Sequence, residues 1–327
     1  MTDPIQVQDS QSAAVADSAD QERIRDDNKK PPKKSLYVGF RPHPAMEALK
    51  MIFLGICCML VIGPFIMVVS TSLADAEQIG RGGGLVLWPQ NPSLESYRAI
   101  LGGGQVTRAL GVSVTITVGG TALALAFTSM LAYALSRRTM LFNRAILMGV
   151  LLTMLFSAGL IPNYLTIKQF GLLDSLWSLV LPVSVSAFNC IVMRQFFMNL
   201  PQELTEAAIV DGASEFRIFW NIILPLSKPI MAAIGLFYAV AFWNTFFSAL
   251  LYINDAAKWP IQLILRQYLV NNAQLGVNEI DLAGEIPPPQ PSLQMAILVV
   301  SLVPIVIVYP FLQRHFVKGM LTGAVKG

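Results

Sequence analysis

The chain is 327 residues long, 54% of its residues are hydrophobic and only 13% are charged, with a formal net charge of +3. Soluble globular domains carry about 25% charged residues, so this composition excludes a soluble domain. It predicts an all-α polytopic membrane protein, for which no nucleic-acid partner is expected.

Residues 1–46 are expected to form a disordered cytoplasmic tail, because the segment is polar and cannot bury a core. It contains the basic run KKPPKK at residues 29–34. This run is either a topology signal under the positive-inside rule or an anchor for anionic membrane lipid. A signal peptide would carry its apolar segment within about the first 30 residues. Here the first apolar run begins at Met51 and is long enough to span, so we expect it to be retained.

Six uncharged runs are long enough to cross a bilayer, since a hydrocarbon core about 30 Å thick needs roughly 20 apolar residues in a helix. They are residues 51–74, 109–136, 145–167, 175–193, 229–254 and 292–312. We therefore predict six transmembrane helices within a domain at residues 47–318, followed by a cytoplasmic C-terminal tail at residues 319–327.

The basic residues predict the orientation. Lys and Arg are enriched on the cytoplasmic side of membrane proteins. If both termini are inside, 17 of the 23 Lys and Arg residues lie in cytoplasmic segments. We therefore expect cytoplasmic N- and C-termini.

The sequence offers no motif for catalysis or metal binding. It has no GxxxxGKS/T phosphate loop, and its only histidines, His43 and His315, form no zinc-binding pair. Cys57, Cys58 and Cys190 show neither metal spacing nor a disulfide framework. All six predicted spans are uncharged, whereas ion-coupled carriers usually place an ionisable residue in the membrane. We expect no enzyme activity and no cofactor bound by this chain.

The connection at residues 200–228, between the fourth and fifth predicted spans, is polar. Pro201 suits the first turn of a helix that extends to about Val210. Gly212 then permits a turn, and Ser214 is a good residue to begin a second helix. We predict a cytoplasmic helix-turn-helix.

The second of these helices has an apolar stripe. Phe216, Phe219, Trp220 and Ile223 recur at helical spacing, so we expect this face to pack on the membrane domain, with an interfacial aromatic belt as the alternative. Pro225 is predicted to end the helix.

This connection resembles the "EAA" coupling loop of permease subunits in ATP-binding-cassette (ABC) importers. Further similarity to the six-span, maltose-type carbohydrate family lies in WPQNPSLESYRAIL from Trp88, LAYALSRR from Leu131 and YPFLQRHFVKGMLTGAVKG from Tyr309. The ending is most similar to permeases for oligosaccharides and polysaccharide fragments such as alginate or rhamnogalacturonan. The residues that carry the coupling pattern are Glu206, Ala207, Ala208, Asp211, Gly212, Ile222, Leu224 and Pro225.

The resemblance implies a permease subunit in a bacterial cytoplasmic (inner) membrane. Such a subunit pairs with a second permease, and an external solute-binding protein delivers the oligosaccharide. A separate ATPase dimer binds the coupling loops and uses ATP and Mg²⁺. In this family the helix that holds Glu206 would sit in a cleft of the ATPase.

Carbohydrate sites combine aromatic faces with amide and hydroxyl groups. The candidates for a substrate pathway are Asn189, Trp243, Asn244 and Ser248, and Asn163 lies at the end of the third span. Each could equally be a helix-packing or interfacial group.

Three alternatives stay open on the residues alone. They are an ion-coupled secondary carrier, an ABC importer permease for a solute other than a sugar, and a membrane-anchored scaffold. Uncharged spans and the coupling pattern argue against the carrier, and a scaffold would tolerate loss of the loop's Glu and Gly.

Overall fold

The computed structural model describes residues 44–102, 104–137, 140–270 and 288–324, with side chains described as far as residue 310. Within these ranges all regular structure is helical, which confirms the predicted all-α class there. The chain divides into two compact units, Met1–Leu60 and Val61–Gly327, and every side-chain contact described below lies within the second. The helices in chain order are α1 (Pro44–Ser72), α2 (Ala76–Arg81), α3 (Glu95–Leu101), α4 (Gln105–Ser136), α5 (Asn143–Leu155), α6 (Leu160–Gln169), α7 (Trp177–Val180), α8 (Ala187–Met198), α9 (Gln202–Val210), α10 (Glu215–Ile218), α11 (Leu224–Leu226), α12 (Lys228–Trp243), α13 (Phe247–Tyr252), α14 (Ile261–Leu269) and α15 (Gln290–Ala324).

Length and composition allow up to six membrane spans in the described part of the chain. Three helices can cross a membrane unaided: Ala45–Ser72, Gln105–Ser136 and Gln290–Pro310. Three further candidates are pairs of shorter helices, each bent by more than 40° at a short break. The first, second and sixth predicted spans are therefore single helices. Two bent pairs fall on the third and fourth predicted spans, and the remaining pair joins Glu215–Leu226 to Lys228–Trp243 at 83°.

The third predicted span, residues 145–167, is not continuous, because α5 and α6 meet at an angle of 119°. The break ends at Gly159, whose φ of +83° is a left-handed conformation that favours glycine. Pro162 follows in the first turn of α6, where a missing N–H costs little. The prediction of one continuous helix was wrong. It depended on the length of the apolar run, and these two local signals for a break lie inside that run.

The fourth predicted span, residues 175–193, is also interrupted. A 3-10 turn at Leu181–Val183 follows α7, and the axis bends by 50° before α8. Ser186 caps the start of α8, since its hydroxyl accepts a hydrogen bond from the backbone N–H of Asn189. A capping serine thus begins a new helix within the apolar run.

The fifth predicted span, residues 229–254, begins as predicted, with Pro229 in the first turn of α12. This helix ends at Trp243. The side-chain amide of Asn244 donates a hydrogen bond to the carbonyl oxygen of Val240 at 2.8 Å, and α13 begins only after a break. The predicted continuous span is therefore two helices.

The main core is built on α4, which packs against α12 and α8. Gly120 of α4 lies against the ring of Phe242, and a Cβ atom added to Gly120 would be 2.9 Å from Phe242 Cζ. Gly235 of α12 faces Leu125 in the same way, at 3.2 Å from its Cδ1 atom. Small residues at these crossings let the two backbones approach closely, which maximises van der Waals contact between membrane helices.

The side chain of Tyr238 joins three of these elements. Its hydroxyl lies 2.6 Å from Thr128 Oγ1 on α4 and accepts a hydrogen bond from the backbone N–H of Ser186 at 2.8 Å. Tyr238 and Thr128 are buried. A buried polar group without a partner costs free energy, so this hydroxyl helps to set where α12 meets α4 and the start of α8.

We expect Tyr238→Phe to lower the free energy of unfolding by about 1–2 kcal/mol, because it leaves Thr128 and the N–H of Ser186 without this partner. Unfolding of the purified protein in detergent, followed by near-ultraviolet circular dichroism, measures the change. Tyr309→Phe is the matched control, since Tyr309 is exposed. Equal stability of the two variants would contradict this role for Tyr238.

A second cluster of buried polar groups connects the ends of the first and sixth predicted spans with the segment between the first and second spans. Ser292 Oγ at the start of α15 lies 2.6 Å from Ser96 Oγ and 3.4 Å from the carbonyl oxygen of Ser72. The hydroxyl of Ser72 in turn lies 2.6 Å from that of Tyr97. The end of α1, α3 and the start of α15 are therefore held together at one place.

Most of the predicted N-terminal tail, residues 1–43, lies outside the described residues, and residues 44–46 already belong to α1. At the other end α15 continues to Ala324, so residues 319–324 of the predicted C-terminal tail are helical. Residues 325–327 lie outside the described part of the chain.

Candidate functional site

The connection between α8 and α12 contains two helical segments joined by a tight turn. Pro201 precedes α9, and the chain reverses after it at Gly212, whose φ is +78°. The backbone N–H of Ala213 donates a hydrogen bond to the carbonyl oxygen of Ala208 at 2.9 Å. A left-handed glycine followed by this hydrogen bond is a common way for a helix to end.

The second segment begins at Ser214, whose hydroxyl accepts a hydrogen bond from the backbone N–H of Arg217. It runs through α10, a π-helical turn at Phe219–Ile223 and α11. The prediction that Pro225 ends this helix was wrong, because Pro225 lies in the first turn of α11 and the helix continues to Leu226. A wider π turn leaves room for a proline ring that would clash in a regular helix.

The buried face of the second segment differs from the predicted one. Ile218, Phe219 and Ile223 are buried, but Phe216 is 66% exposed and Trp220 is 54% exposed. The prediction placed all four aromatic and aliphatic residues of the stripe on one packed face, and for Phe216 and Trp220 it was wrong. It assumed 3.6 residues per turn, whereas the π turn rotates the face by a different amount per residue.

The predicted coupling residues fall into two groups. One group is solvent-exposed, and the other is partly buried against the main core. We call the solvent-exposed side of the connection its outer side; the term does not refer to a side of the membrane. The exposed group is Glu206, Ala207, Asp211, Gly212 and Pro225, and the partly buried group is Ala208, Ile222 and Leu224.

Large apolar side chains accompany the acidic ones on the outer side. Val210 is 87% exposed, and Ile209 is also exposed. The rings of Phe216 and Trp220 lie 6.1 Å apart, edge to face. Ile209 and Val210 follow Glu206 by three and four residues on α9, so exposed apolar groups lie near its carboxylate, a combination that suits a soluble protein partner.

A polar link connects this region to the last turn of α4. Arg137 Nη2 lies 3.2 Å from Glu215 Oε2, and the hydroxyl of Tyr133 donates a hydrogen bond to the same oxygen. In the sequence, Tyr133 and Arg137 stand out only as part of the segment LAYALSRR. Their spacing of four residues was the available signal, but it does not identify a partner 78 residues away.

A cavity of about 590 Å³ lies between α6, α7 and α13. Its polar lining includes Asn163, Thr166, Ser178 and Ser248, and Tyr252 adds an aromatic ring. Apolar side chains complete the wall, so the cavity has the mixed character of a small-molecule site. Sequence analysis named Ser248 and Asn163 and missed the other three, because their spacing along the chain shows no pattern.

The other three candidate pathway residues lie elsewhere. Asn189 is buried on α8, and Asn244 is exposed. Trp243 packs in a second apolar cluster with α14 and α15, and its indole N–H has no hydrogen-bond partner among the described residues. Ser248 is thus the one of the four that lines this cavity.

A network of hydrogen bonds around Asp174 fixes one edge of the cavity. Asp174 has a φ of +59°, and its backbone N–H donates to the carbonyl oxygen of Tyr252 at 2.7 Å. Its carboxylate accepts hydrogen bonds from the backbone N–H groups of Asp255 and Asn254, and Lys258 Nζ lies 3.3 Å from Oδ2. The hydrogen bond from Asp255, followed by the nearby Lys258, lowers the pKa of the Asp174 carboxyl, so it stays ionised.

In the part of the chain that the structure describes, no three His, Cys, Asp or Glu side chains lie close enough together to hold a metal ion. Both regions offer groups for hydrogen bonding and apolar contact.

Comparison with known proteins gives a consistent result over most of the chain. Residues 116–322 match the family described as binding-protein-dependent transport system inner membrane component. The polygalacturonan/rhamnogalacturonan transport system permease protein YtcP of Bacillus subtilis is 43% identical over 275 residues, covering 84% of this chain and 96% of YtcP. Protein LplC of the same organism is 43% identical over 281 residues, covering 86% of this chain and 95% of LplC.

A solved structure is also similar. It is a chain of a bacterial ABC transporter involved in the import of the acidic polysaccharide alginate. The match has a TM-score of 0.76 and 28% sequence identity, and it covers 84% of this chain and 97% of that one. The sequence similarity to YtcP and the structural similarity each cover 84% of this chain.

Proposed function

Because this chain belongs to the family of binding-protein-dependent transport system inner membrane components, we propose that it is the permease subunit of an ATP-driven ABC importer for an oligosaccharide or polysaccharide fragment. The observation that carries the proposal is the 43% identity to YtcP, which covers 96% of that sugar-transport permease. The similarity to a chain of the alginate importer supports the same class of substrate.

Within the connection at residues 200–228, we assign ATPase docking to the exposed coupling residues, which do not include Glu215. The connection's outer side presents Glu206 and Asp211 with exposed apolar side chains, as a binding surface for a soluble subunit requires. The partner ATPase dimer would bind and hydrolyse ATP with Mg²⁺, and this chain would bind no cofactor. ATPase closure would push on this surface and drive the permease.

The remaining partners follow from the same assignment. A second, different permease would complete the pathway, and an external solute-binding protein would deliver the sugar. The complex would sit in the bacterial cytoplasmic membrane among its lipids. The domain of residues 47–318 would form the six-span core, with the tails at residues 1–46 and 319–327 in the cytoplasm.

Contacts within the chain support the predicted division of the connecting segments between two sides of the membrane, whereas the basic residues are the basis for calling one side cytoplasmic. The connection at residues 200–228 touches the end of α4, and both are predicted to be cytoplasmic from their basic residues. On the opposite side, Asp174 bonds to residues 254 and 255, and Ser96 bonds to Ser292. Segments that the orientation places on one side therefore contact each other.

We assign the cavity at Ser248 to the sugar pathway. Hydroxyl and amide groups at Asn163, Thr166 and Ser178 can exchange hydrogen bonds with sugar hydroxyls, and the Tyr252 ring offers an apolar face. Its volume of about 590 Å³ is sufficient for a small oligosaccharide segment. Asn189, Trp243 and Asn244 would contribute in other states of the pathway.

Purification of the tagged chain from its native membranes tests the proposal. Mass spectrometry should identify an ATPase, a second permease and a solute-binding protein in the complex. The complex in proteoliposomes should then accumulate galacturonan, rhamnogalacturonan or alginate oligomers only when ATP is enclosed. Accumulation by this chain alone, without ATP, would establish a secondary carrier instead.

We expect Ser248→Trp to reduce sugar uptake by about tenfold, equivalent to roughly 1.4 kcal/mol in a binding step, because the indole would fill part of the cavity. Ser248→Ala should have a smaller effect, since it removes one hydroxyl and adds no volume. Leu250→Trp is the matched control, because Leu250 is exposed on the same short helix and does not line the cavity. Normal uptake by Ser248→Trp would remove this cavity from the pathway.

A further inference from the structure

Three side chains join the coupling connection to the second span. The hydroxyl of Tyr133 donates a hydrogen bond to Glu215 Oε2 at 2.5 Å and accepts one from Arg137 Nη2 at 2.6 Å. Arg137 also forms an ion pair with Glu215 at 3.2 Å. Its guanidinium group lies 4.9 Å above the centre of the Tyr133 ring. Each of the three side chains therefore contacts the other two.

Aromatic packing supports the link from behind. The ring of Tyr133 lies 5.1 Å from that of Phe219, which is buried in the π-helical turn, and 6.4 Å from that of Phe197 on α8. The second segment of the connection is thus held to α4 by a polar contact at its first residue and by an aromatic contact four residues later. Because these two contacts lie at different points of the segment, they resist its rotation against α4 as well as its separation from α4.

Stability alone gives little reason for this arrangement. The Glu215 side chain is 62% exposed and that of Arg137 is 27% exposed. An exposed ion pair contributes little to folding stability, because water screens the two charges. Its position is more informative, because Glu215 directly follows the turn at Gly212 and the outer surface that carries Glu206.

The far side of the link leads into the membrane. Tyr133 is on the last two turns of α4, and the same helix contacts α12 through Thr128 with Tyr238 and through Gly120 with Phe242. A displacement of the connection therefore has a continuous path of contacts to the second and fifth spans. Such a chain of packed and hydrogen-bonded groups can carry coupling between distant sites.

We propose that Tyr133, Arg137 and Glu215 form a mechanical link that makes the coupling connection and the second span move as one body when the ATPase closes. This rests on the proposed function. The three are positioning residues and bind neither the sugar nor ATP. Without the link the ATPase still docks and hydrolyses ATP, but less of its movement reaches the pathway.

The experiment compares sugar uptake with ATP hydrolysis in the complete complex in proteoliposomes. Tyr133→Phe keeps the ring packing and removes the hydroxyl, and Glu215→Gln removes the charge. We expect each to lower the sugar transported per ATP hydrolysed by about 5- to 10-fold, a typical coupling energy between sites, while ATP hydrolysis stays near the wild-type rate. A merely structural role would lower assembly, hydrolysis and uptake together.

Charge reversal provides the control. Glu215→Arg alone should lower the sugar transported per ATP hydrolysed. Combining Glu215→Arg with Arg137→Glu should restore part of it, because the ion pair re-forms with its charges exchanged. If Tyr133→Phe and Glu215→Gln transport as much sugar per ATP hydrolysed as an active wild-type complex, the proposed link is wrong and the proposed function is unaffected. A wild-type complex without ATP-dependent uptake overturns the proposed function and the link with it.

Discussion

Glu206→Lys is expected to abolish sugar uptake while the chain still folds and reaches the membrane. Glu206 is exposed on α9, and within the described residues its carboxylate forms no ion pair. Exposed substitutions of this kind change stability by only about 0.5 kcal/mol. Reversing the charge at a docking surface opposes association, because like charges brought together at an interface cost several kcal/mol.

Two measurements separate docking from folding. The amount of the variant in washed membranes should equal that of the wild type, and co-purification of the ATPase should fall. Glu203→Lys is the matched control, since Glu203 lies one turn earlier on the same exposed helix and carries the same charge. It should retain most of the uptake, and normal uptake by Glu206→Lys would show that this surface does not dock the ATPase.

The second large effect is expected at Gly120, where a leucine should prevent α4 from packing on α12. A Cβ atom there would already be 2.9 Å from the ring of Phe242, which is buried. The remaining atoms of leucine would have to enter the same space. Overpacking of a dense core costs about 1–3 kcal/mol and sometimes more, so we expect little folded protein and no assembled complex.

Gly119→Leu tests the local geometry with the same substitution. Gly119 is the adjacent residue of the same helix, and a Cβ atom there has nothing within 4 Å. This variant should accumulate in the membrane like the wild type, as measured by fluorescence-detected size-exclusion chromatography in mild detergent. Combining Gly120→Leu with Phe242→Ala should restore part of the yield, and equal yields for Gly120→Leu and Gly119→Leu would refute the close approach.

Sequence reasoning worked best where one residue type has one strong local preference. The positive φ of Gly212 and the capping hydroxyl of Ser214 are properties that a glycine and a serine bring to such positions. It failed for Phe216 and Trp220, whose burial depends on a π-helical turn. The regular 3.6-residue period of an α-helix cannot predict such a turn.

For the candidate pathway residues, too, the sequence indicates a local property but not which side chains come together. An amide or hydroxyl in an apolar run marks a polar site in the membrane, but it does not say which polar groups meet. Ser248 and Asn163 share a cavity, whereas Asn244 donates its amide hydrogen to Val240 and Trp243 packs in another cluster. Ser248 and Asn163 can line one cavity because the helices that carry them are separated by bends from their neighbours. The same bends place Trp243 and Asn244 away from Ser248, although they are close to it in the sequence.

The sequence by itself determined the membrane class, the candidate spans, the helical turn at Gly212 and the family, because these depend on local composition, spacing and motif. Tertiary structure alone decided the cavity at Ser248 and the contact of Glu215 with Tyr133 and Arg137. Each of these joins side chains from different helices. Their distances follow from how helix faces pack, and a periodic pattern along one helix carries no information about its partner's register.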